Sequence, residues 1–198
     1  MKKLPRSFYS RKTITVAKEL LGKIIVRRIG KTLLSGIIVE TEAYLFDDPA
    51  SHSFRGMTER NNVMFGEPGH LYVYFTYGMH YCANVVTNEE GIGEAVLIRA
   101  VEPVDGIRKM TALRSTKRPV PTEQLTNGPA KFAQAFGLSK EHSGMDLTSG
   151  DIVIAEGEPI PRAGIVTTTR IGISSAKEEL RRFYRKGNPW VSSAVSKK

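Results

Sequence analysis

A chain of 198 residues with a formal charge of +9 and 40% hydrophobic residues has the size of one good-sized domain and the balance of a protein with a polyanionic partner. It contains no apolar run long enough to span a membrane. The one cysteine, Cys82, excludes an internal disulfide, and the lack of a CxxC pair argues against a thiolate zinc site. The alternative is that the excess lysine and arginine serves solubility alone. The basic amino terminus, MKKLPRSFYSRK, has no apolar stretch behind it, so no signal peptide is expected. Residues 1–198 read as one domain without repeats or linkers, placed in the cytoplasm of a cell without a nucleus and nucleoid-associated there.

Val16, Ala17, Leu20 and Leu21 recur at helical spacing, and with Thr13 as N-cap and Gly22 as the stop they predict a helix over Thr13 to Leu21. Lys23 to Ile29 reads as a strand that turns at Gly30-Lys31 and returns as Leu33 to Tyr44. A period of two in the return strand places Ile37, Val39, Thr41 and Ala43 on one face and Ile38, Glu40, Glu42 and Tyr44 on the other. Carboxylates two apart on one face repel, so they need water, cations or a chemical task. The competing reading is an edge strand with a solvated acidic face. Residues 45–70 are rich in Pro, Gly, Asp, Asn and Ser and form a long loop carrying His52, Arg55 and Arg60, expected to close over whatever lies beside the acidic strand.

Leu71 to Val86 alternates as a hairpin should. Leu71, Val73 and Phe75 face one side and Tyr72, Tyr74 and Thr76 the other, with a turn at Tyr77-Gly78. A tyrosine at a hairpin turn either inserts into a nucleic-acid base stack or folds back on its own sheet. Ala95 to Val101 is a nearly continuous apolar strand interrupted by Arg99, a guanidinium that needs Glu40 or Glu42 as partner. Asp105 is a possible cap for a helix to Arg114, and a basic loop with prolines follows. Asn127-Gly128-Pro129 opens a helix through Phe136. Its first turn, with Lys131 nearby, is either an ordinary capped end or a phosphate site. Asp151 to Ala155 and Gly164 to Ile173 read as strands, Ser175 or Ala176 begins a basic helix ending near Tyr184, and Trp190 is core or a clamp for the terminus.

The groups expected to meet between acidic strand, loop and hairpin are Glu40, Glu42, Tyr44, His52, Tyr74, Asn84 and Arg99. No HExxH run is present. Two other classes compete with a base-processing enzyme. One is a metal-dependent nuclease built on Glu40, Glu42, Asp47, Asp48 and His52; the other is a non-catalytic damaged-DNA-binding module.

The segments VETEAY (39–44), SHS (51–53), T-x-R-N (58–61), MFGEPGHLYVYFTYGM (64–79), LIRAVEP (97–103), NGPAK (127–131), RIG (170–172) and RFYRKGNPWVS (182–192) occur in order along the chain. Together they resemble the alkyladenine (3-methyladenine) DNA glycosylase family. The resemblance implies a single mixed α+β domain with a curved, mainly antiparallel sheet flanked by helices and a protruding β-hairpin. It also implies a monofunctional DNA glycosylase of base excision repair. Such an enzyme releases alkylated or deaminated purines of the 3-methyladenine, 7-methylguanine, hypoxanthine and ethenoadenine class from duplex DNA, as a monomer and without metal or cofactor. Carried over by position, Glu42 would be the catalytic base, with Arg99 and the carbonyl of Ile171 helping to hold the attacking water. Tyr44, His52 and Tyr74 would enclose the extruded base, and Asn84 would crowd out the 2-amino group of guanine. Tyr77 would wedge into the vacated stack, and Thr58, Arg60, Met64 and Lys131 would contact the DNA.

Overall fold

The computed structural model describes residues 1–76, 78–114 and 120–192. Helices α1 (Arg6–Tyr9) and α2 (Thr13–Glu19) lead into strands β1 (Ile24–Ile29) and β2 (Thr32–Tyr44). Strands β3 (Leu71–Thr76), β4 (His80–Thr87) and β5 (Glu94–Asp105) follow, then helices α3 (Ile107–Arg114) and α4 (Pro129–Ala135). The chain closes with β6 (Ile152–Ala155), β7 (Ile165–Thr168) and β8 (Arg182–Arg185). The eight described strands form one antiparallel sheet in the order β3-β4-β5-β2-β1-β6, with β8 also paired to β2 and β7 paired to β8. This is the mixed α+β architecture, with a curled antiparallel sheet, expected from the sequence.

Strand β2 is the pivot of the sheet. One side of it pairs with β5 from Ser35 to Tyr44, while the other is shared by β1 over Thr32 to Ile37 and β8 over Glu40 to Glu42. Register shifts at Ser35/Gly36 and between Ile38 and Thr41 bend the strand where it changes partners. At the first of these, Gly36 lies so close to β5 that a Cβ there would meet Val101 Cγ1 at 2.3 Å.

The shift at Ile38 also overturns the simple two-residue alternation. Ile38 joins the hydrophobic core with Ala43 instead of sharing a face with Glu40 and Glu42. Every residue from Ile38 to Ala43 is buried, so the edge-strand reading with a solvated acidic face is also corrected. Helix α2 covers one face, where Thr41 donates its hydroxyl to the Ala17 carbonyl at 2.8 Å. Val16, Ala17 and Leu20 of this end of the chain pack with Phe132 and Phe136 against Leu34, Ile98 and Val101. Burying a side chain of that size contributes about 1.5–3 kcal/mol.

Several expectations differ from the structure. Thr13 does not cap α2; Lys12 holds that position, and the Thr13 hydroxyl contacts Thr87 (2.9 Å) and Glu94, a long-range use that local spacing does not reveal. Asp105 ends β5 and accepts a hydrogen bond from Ser35 Oγ at 2.8 Å instead of capping α3. The basic helix read from Ser175 to Tyr184 is absent. Ala176 adopts a positive φ of 48°, and Arg182–Arg185 form β8, because the backbone of β2 at Glu40 to Glu42 needs a hydrogen-bonding partner on that side. The strand expected over Gly164 to Ile173 ends at Thr168, and Trp190 is half-buried rather than core. The expected basic loop after Arg114 lies partly outside the described residues, and Thr122–Gln124 form a short 3-10 turn.

Glu40 shows why β8 and the last described segment return to β2. One of its carboxylate oxygens accepts from Arg99 Nε (3.0 Å), Arg182 Nε (2.6 Å) and Ser192 Oγ (2.9 Å), and the other accepts from the Ser192 N–H (2.7 Å). The side chain is fully shielded from solvent. Removing its charge leaves two buried guanidinium groups without their shared counter-charge. Glu40→Gln is therefore expected to lower unfolding free energy by about 3–5 kcal/mol in urea denaturation; a change within about 0.5 kcal/mol would mean the network is not structural.

Candidate active site

On the face of β2 opposite α2, the tyrosines of β3 open onto a cavity of about 510 Å³. Tyr72, Tyr74 and Thr76 all line it, as their shared strand face requires, while Leu71 and Val73 point into the core. Asn84 and Cys82 of β4, Leu97 and Arg99 of β5, and Tyr44 at the end of β2 continue the wall. The loop residues Ser51 and His52 and the segment from Ile171 to Ser174 close the remaining sides.

Glu42 sits directly behind this wall, fully buried, and each of its known partners lines the cavity. Its Oε1 accepts from the Ile171 N–H at 2.9 Å and lies 3.1 Å from Arg99 Nη1, and its Oε2 accepts from the Tyr44 hydroxyl at 2.9 Å. A carboxylate has about four lone-pair sites, so three donors orient it and leave room for one more, such as the O–H of a water. Burial works to lower the Arg99 pKa, but the carboxylates of Glu42 and Glu40 outweigh it and hold the guanidinium firmly charged. Burial, followed by the Glu42 charge, raises the Tyr44 phenol well above its usual range, so Tyr44 remains a donor. The expected role of Ile171 was through its carbonyl; the contact present is made by its N–H, to the carboxylate itself.

Three rings form the opposite wall. His52 meets Tyr74 edge to face with centroids 4.5 Å apart, and its Nδ1 lies 3.0 Å from the Tyr72 hydroxyl. Tyr72 and Tyr74 are 5.6 Å apart at an interplanar angle of 31°. Desolvation of the ring where it packs against Tyr72 and Tyr74, and then the charge of Arg60, lower the His52 pKa and favour a neutral imidazole, although much of the side chain stays exposed. Burial pushes the Tyr72 phenol up to about 12 and raises Tyr74 and the Cys82 thiol as well, so the cavity wall stays uncharged apart from Arg99. Asn84 donates from Nδ2 to the Tyr72 carbonyl at 3.1 Å, which fixes the amide in the cavity wall.

The structure therefore brings together Glu42, Tyr44, His52, Tyr74, Asn84, Arg99 and Ile171. Among the residues expected at a DNA surface, Arg60 is exposed near the mouth, 5.8 Å from the Tyr74 ring, while Met64 is buried in the cavity wall. Thr58 hydrogen-bonds the Asn61 side chain through both its N–H and its hydroxyl, within the loop. Lys131 donates to Asn127 Oδ1 at 2.8 Å on α4. Tyr77 lies outside the described residues.

Sequence reasoning missed Tyr72, although the two-residue period had already placed it on the face of Tyr74. It also missed Arg182, because the segment around it read as helix. Among the described residues no three His, Cys, Asp or Glu side chains form a metal-binding group. The carboxylates of Glu40, Glu42 and Asp48 face guanidinium groups instead of one another, so they offer no ligand set to the nuclease reading.

Residues 7–189 match the family model described as methylpurine-DNA glycosylase. A relative from Carboxydothermus hydrogenoformans is 54% identical over 190 residues, covering 96% of this chain and 98% of its own length. One from Methanoculleus marisnigri is 50% identical over 192 residues, with 96% and 98% coverage, and one from Chlorobaculum tepidum is 49% identical over 195 residues, with 97% and 91%. Each of the three carries the provisional name 3-methyladenine DNA glycosylase. With a match over nearly its whole length and an aromatic cavity backed by a buried, donor-clamped carboxylate, the chain belongs to the methylpurine-DNA glycosylase family.

Proposed function

We propose that the protein is a monofunctional DNA glycosylase of base excision repair. In this reading it draws an alkylated or deaminated purine out of duplex DNA into the aromatic cavity and hydrolyses the N-glycosidic bond with water activated by Glu42. The observation that carries the reading is the placement of the Glu42 carboxylate, held by Arg99, Ile171 and Tyr44, directly behind the wall of a cavity large enough for a purine.

Inside a duplex the glycosidic bond is inaccessible, so the base must be extruded, at a cost of a few kcal/mol that is lowest for a damaged or mispaired base. A purine alkylated on a ring nitrogen carries positive charge, and stacking against Tyr44 and Tyr74 favours that cation by about 0.5–2 kcal/mol over a neutral base. In this reading the bulk of the Asn84 side chain, fixed by its hydrogen bond to Tyr72, crowds the position of the 2-amino group of guanine and disfavours the normal base. As the bond to the sugar lengthens, positive charge develops on the sugar ring, and Glu42 both removes a proton from water and faces that charge. Arg99, the Ile171 N–H and the Tyr44 hydroxyl hold the carboxylate in its aim. Tyr77 is assigned the wedge role from the sequence resemblance, since a phenol in the vacated stack offsets part of the unstacking cost. The protein acts in this reading as a monomer on damaged duplex DNA, with no cofactor.

Purified protein is expected to leave abasic sites in hypoxanthine- or methylpurine-containing duplex in the presence of excess EDTA, without direct strand breaks. Glu42→Gln is expected to slow single-turnover release by about 10²–10⁴-fold while lesion-duplex affinity in a gel shift is retained. Unchanged release would remove Glu42 from the base role.

The depressed His52 pKa fixes the sign of a pH effect. The folded protein takes up this proton less readily than the unfolded chain, so the stabilisation from neutral His52 is complete above the ordinary value of 6.5 and is lost as pH falls through the lower folded value. Protonation also places a positive charge beside the base. Between about pH 7.5 and about pH 5.5, release of cationic 7-methylguanine is expected to fall relative to release of neutral hypoxanthine. In His52→Asn the ratio is expected to stay flat; the same decline in that variant would assign the effect elsewhere.

A further inference from the structure

Behind the cavity wall lies a buried ion pair with no part in the chemistry above. The guanidinium of Arg170 meets the carboxylate of Asp48 with both terminal nitrogens, Nη2 reaching Oδ1 at 3.0 Å and Nη1 contacting Oδ2, and both side chains are fully shielded from solvent. Arg170 Nη1 also donates to the carbonyl of Ala43 at 3.1 Å, between Glu42 and Tyr44. Its Cζ stands 4.7 Å from the centroid of the Tyr44 ring. Asp48 also accepts the Ala50 N–H on Oδ1 at 2.9 Å and lies 3.1 Å from Arg181 Nη1. Among the described residues the Nε of Arg170 is buried with no partner, so the guanidinium is set by Asp48, Ala43 and Tyr44 and not by the fullest use of its own donors.

Each end of this pair adjoins a different wall of the cavity. Asp48 precedes the Pro49 to His52 wall, Arg170 directly precedes Ile171, whose N–H holds Glu42, and the planar cation lies against the ring of Tyr44, which donates to the same carboxylate. Two stretches far apart in sequence, residues 43–48 and 170–171, are thereby joined at one point. An isolated lysine-like charge would balance Asp48, but only a planar fork satisfies the carboxylate, the Ala43 carbonyl and the ring together.

We propose that Arg170 is a positioning residue for hydrolysis: paired with Asp48 and stacked on Tyr44, it sets the Ile171 N–H and the Tyr44 hydroxyl against Glu42 and holds the two loop walls of the base cavity in register. The catalytic consequence rests on the glycosylase reading; the structural coupling does not.

Two measurements on the same variants test the proposal. The first is single-turnover release of hypoxanthine from duplex DNA, with protein in excess and below each variant's melting temperature, set beside affinity for undamaged duplex. Arg170→Gln is expected to slow release about ten- to hundredfold with affinity within about twofold of the wild type, and Arg170→Lys to fall between the two. The second is hydrogen exchange read by mass spectrometry, in which Arg170→Gln is expected to speed exchange in residues 45–52 as well as 170–174.

A folded Arg170→Gln that releases base at the wild-type rate, or one that exchanges faster only around residue 170, would overturn the proposal. Should Arg170→Gln fail to fold, the double variant Asp48→Asn/Arg170→Gln removes both charges of the buried pair while Arg181 keeps Glu179 at 3.5 Å as its acid, and it carries the same two expectations and the same two refutations. If the wild type releases no purine from any duplex, the glycosylase reading fails while the exchange measurement still decides the coupling.

Discussion

The fold and the site meet in one guanidinium. Arg99, in the middle of the largely apolar strand β5, lies 3.0 Å from Glu40 through Nε and 3.1 Å from Glu42 through Nη1. Two carboxylates on neighbouring positions of a strand would repel each other, and a buried arginine would be costly alone; together they become tolerable, and Arg182 supplies the second positive charge. The geometry of a fork, instead of a point charge, lets one side chain address both glutamates at once.

That shared cation also divides the labour of the two acids. Glu40 accepts from two arginines and from the N–H and hydroxyl of Ser192, so it ties the last described segment to β2. Glu42 has one guanidinium, one N–H and one phenol, and its partners line a cavity. The backbone bends where this division is made. The register shift between Ile38 and Thr41 returns Ile38 to the core and leaves both acids on the side away from α2.

Much of this was legible in the chain. Alternation placed Tyr72 and Tyr74 on a common face, the lone arginine in an apolar strand demanded an acid partner, and the length of the loop carrying His52 marked it as a wall of something. The unread parts share a physical cause: they depend on contacts across long stretches of chain. Arg170 and Asp48 are separated by 122 positions and Glu40 and Ser192 by 152, distances over which spacing carries no signal. The segment Arg182–Arg185 read as the end of a helix because local preference favoured it, but the unpaired edge of β2 drew it into the sheet. Thr13, well suited to capping by composition, is held by Thr87 instead.

In the proposed reaction Glu42, and not Glu40, delivers water to a sugar whose purine has entered the aromatic cavity. The most direct measurement is a crystal structure of the protein on duplex DNA carrying a 2′-fluoro-inosine nucleotide, whose electron-poor sugar resists cleavage. Hypoxanthine is expected between Tyr44 and the His52–Tyr74 wall, with a water hydrogen-bonded to Glu42 about 3–3.5 Å from C1′. A purine that remains stacked in the duplex, or a water at C1′ held by groups other than Glu42, would contradict that reaction.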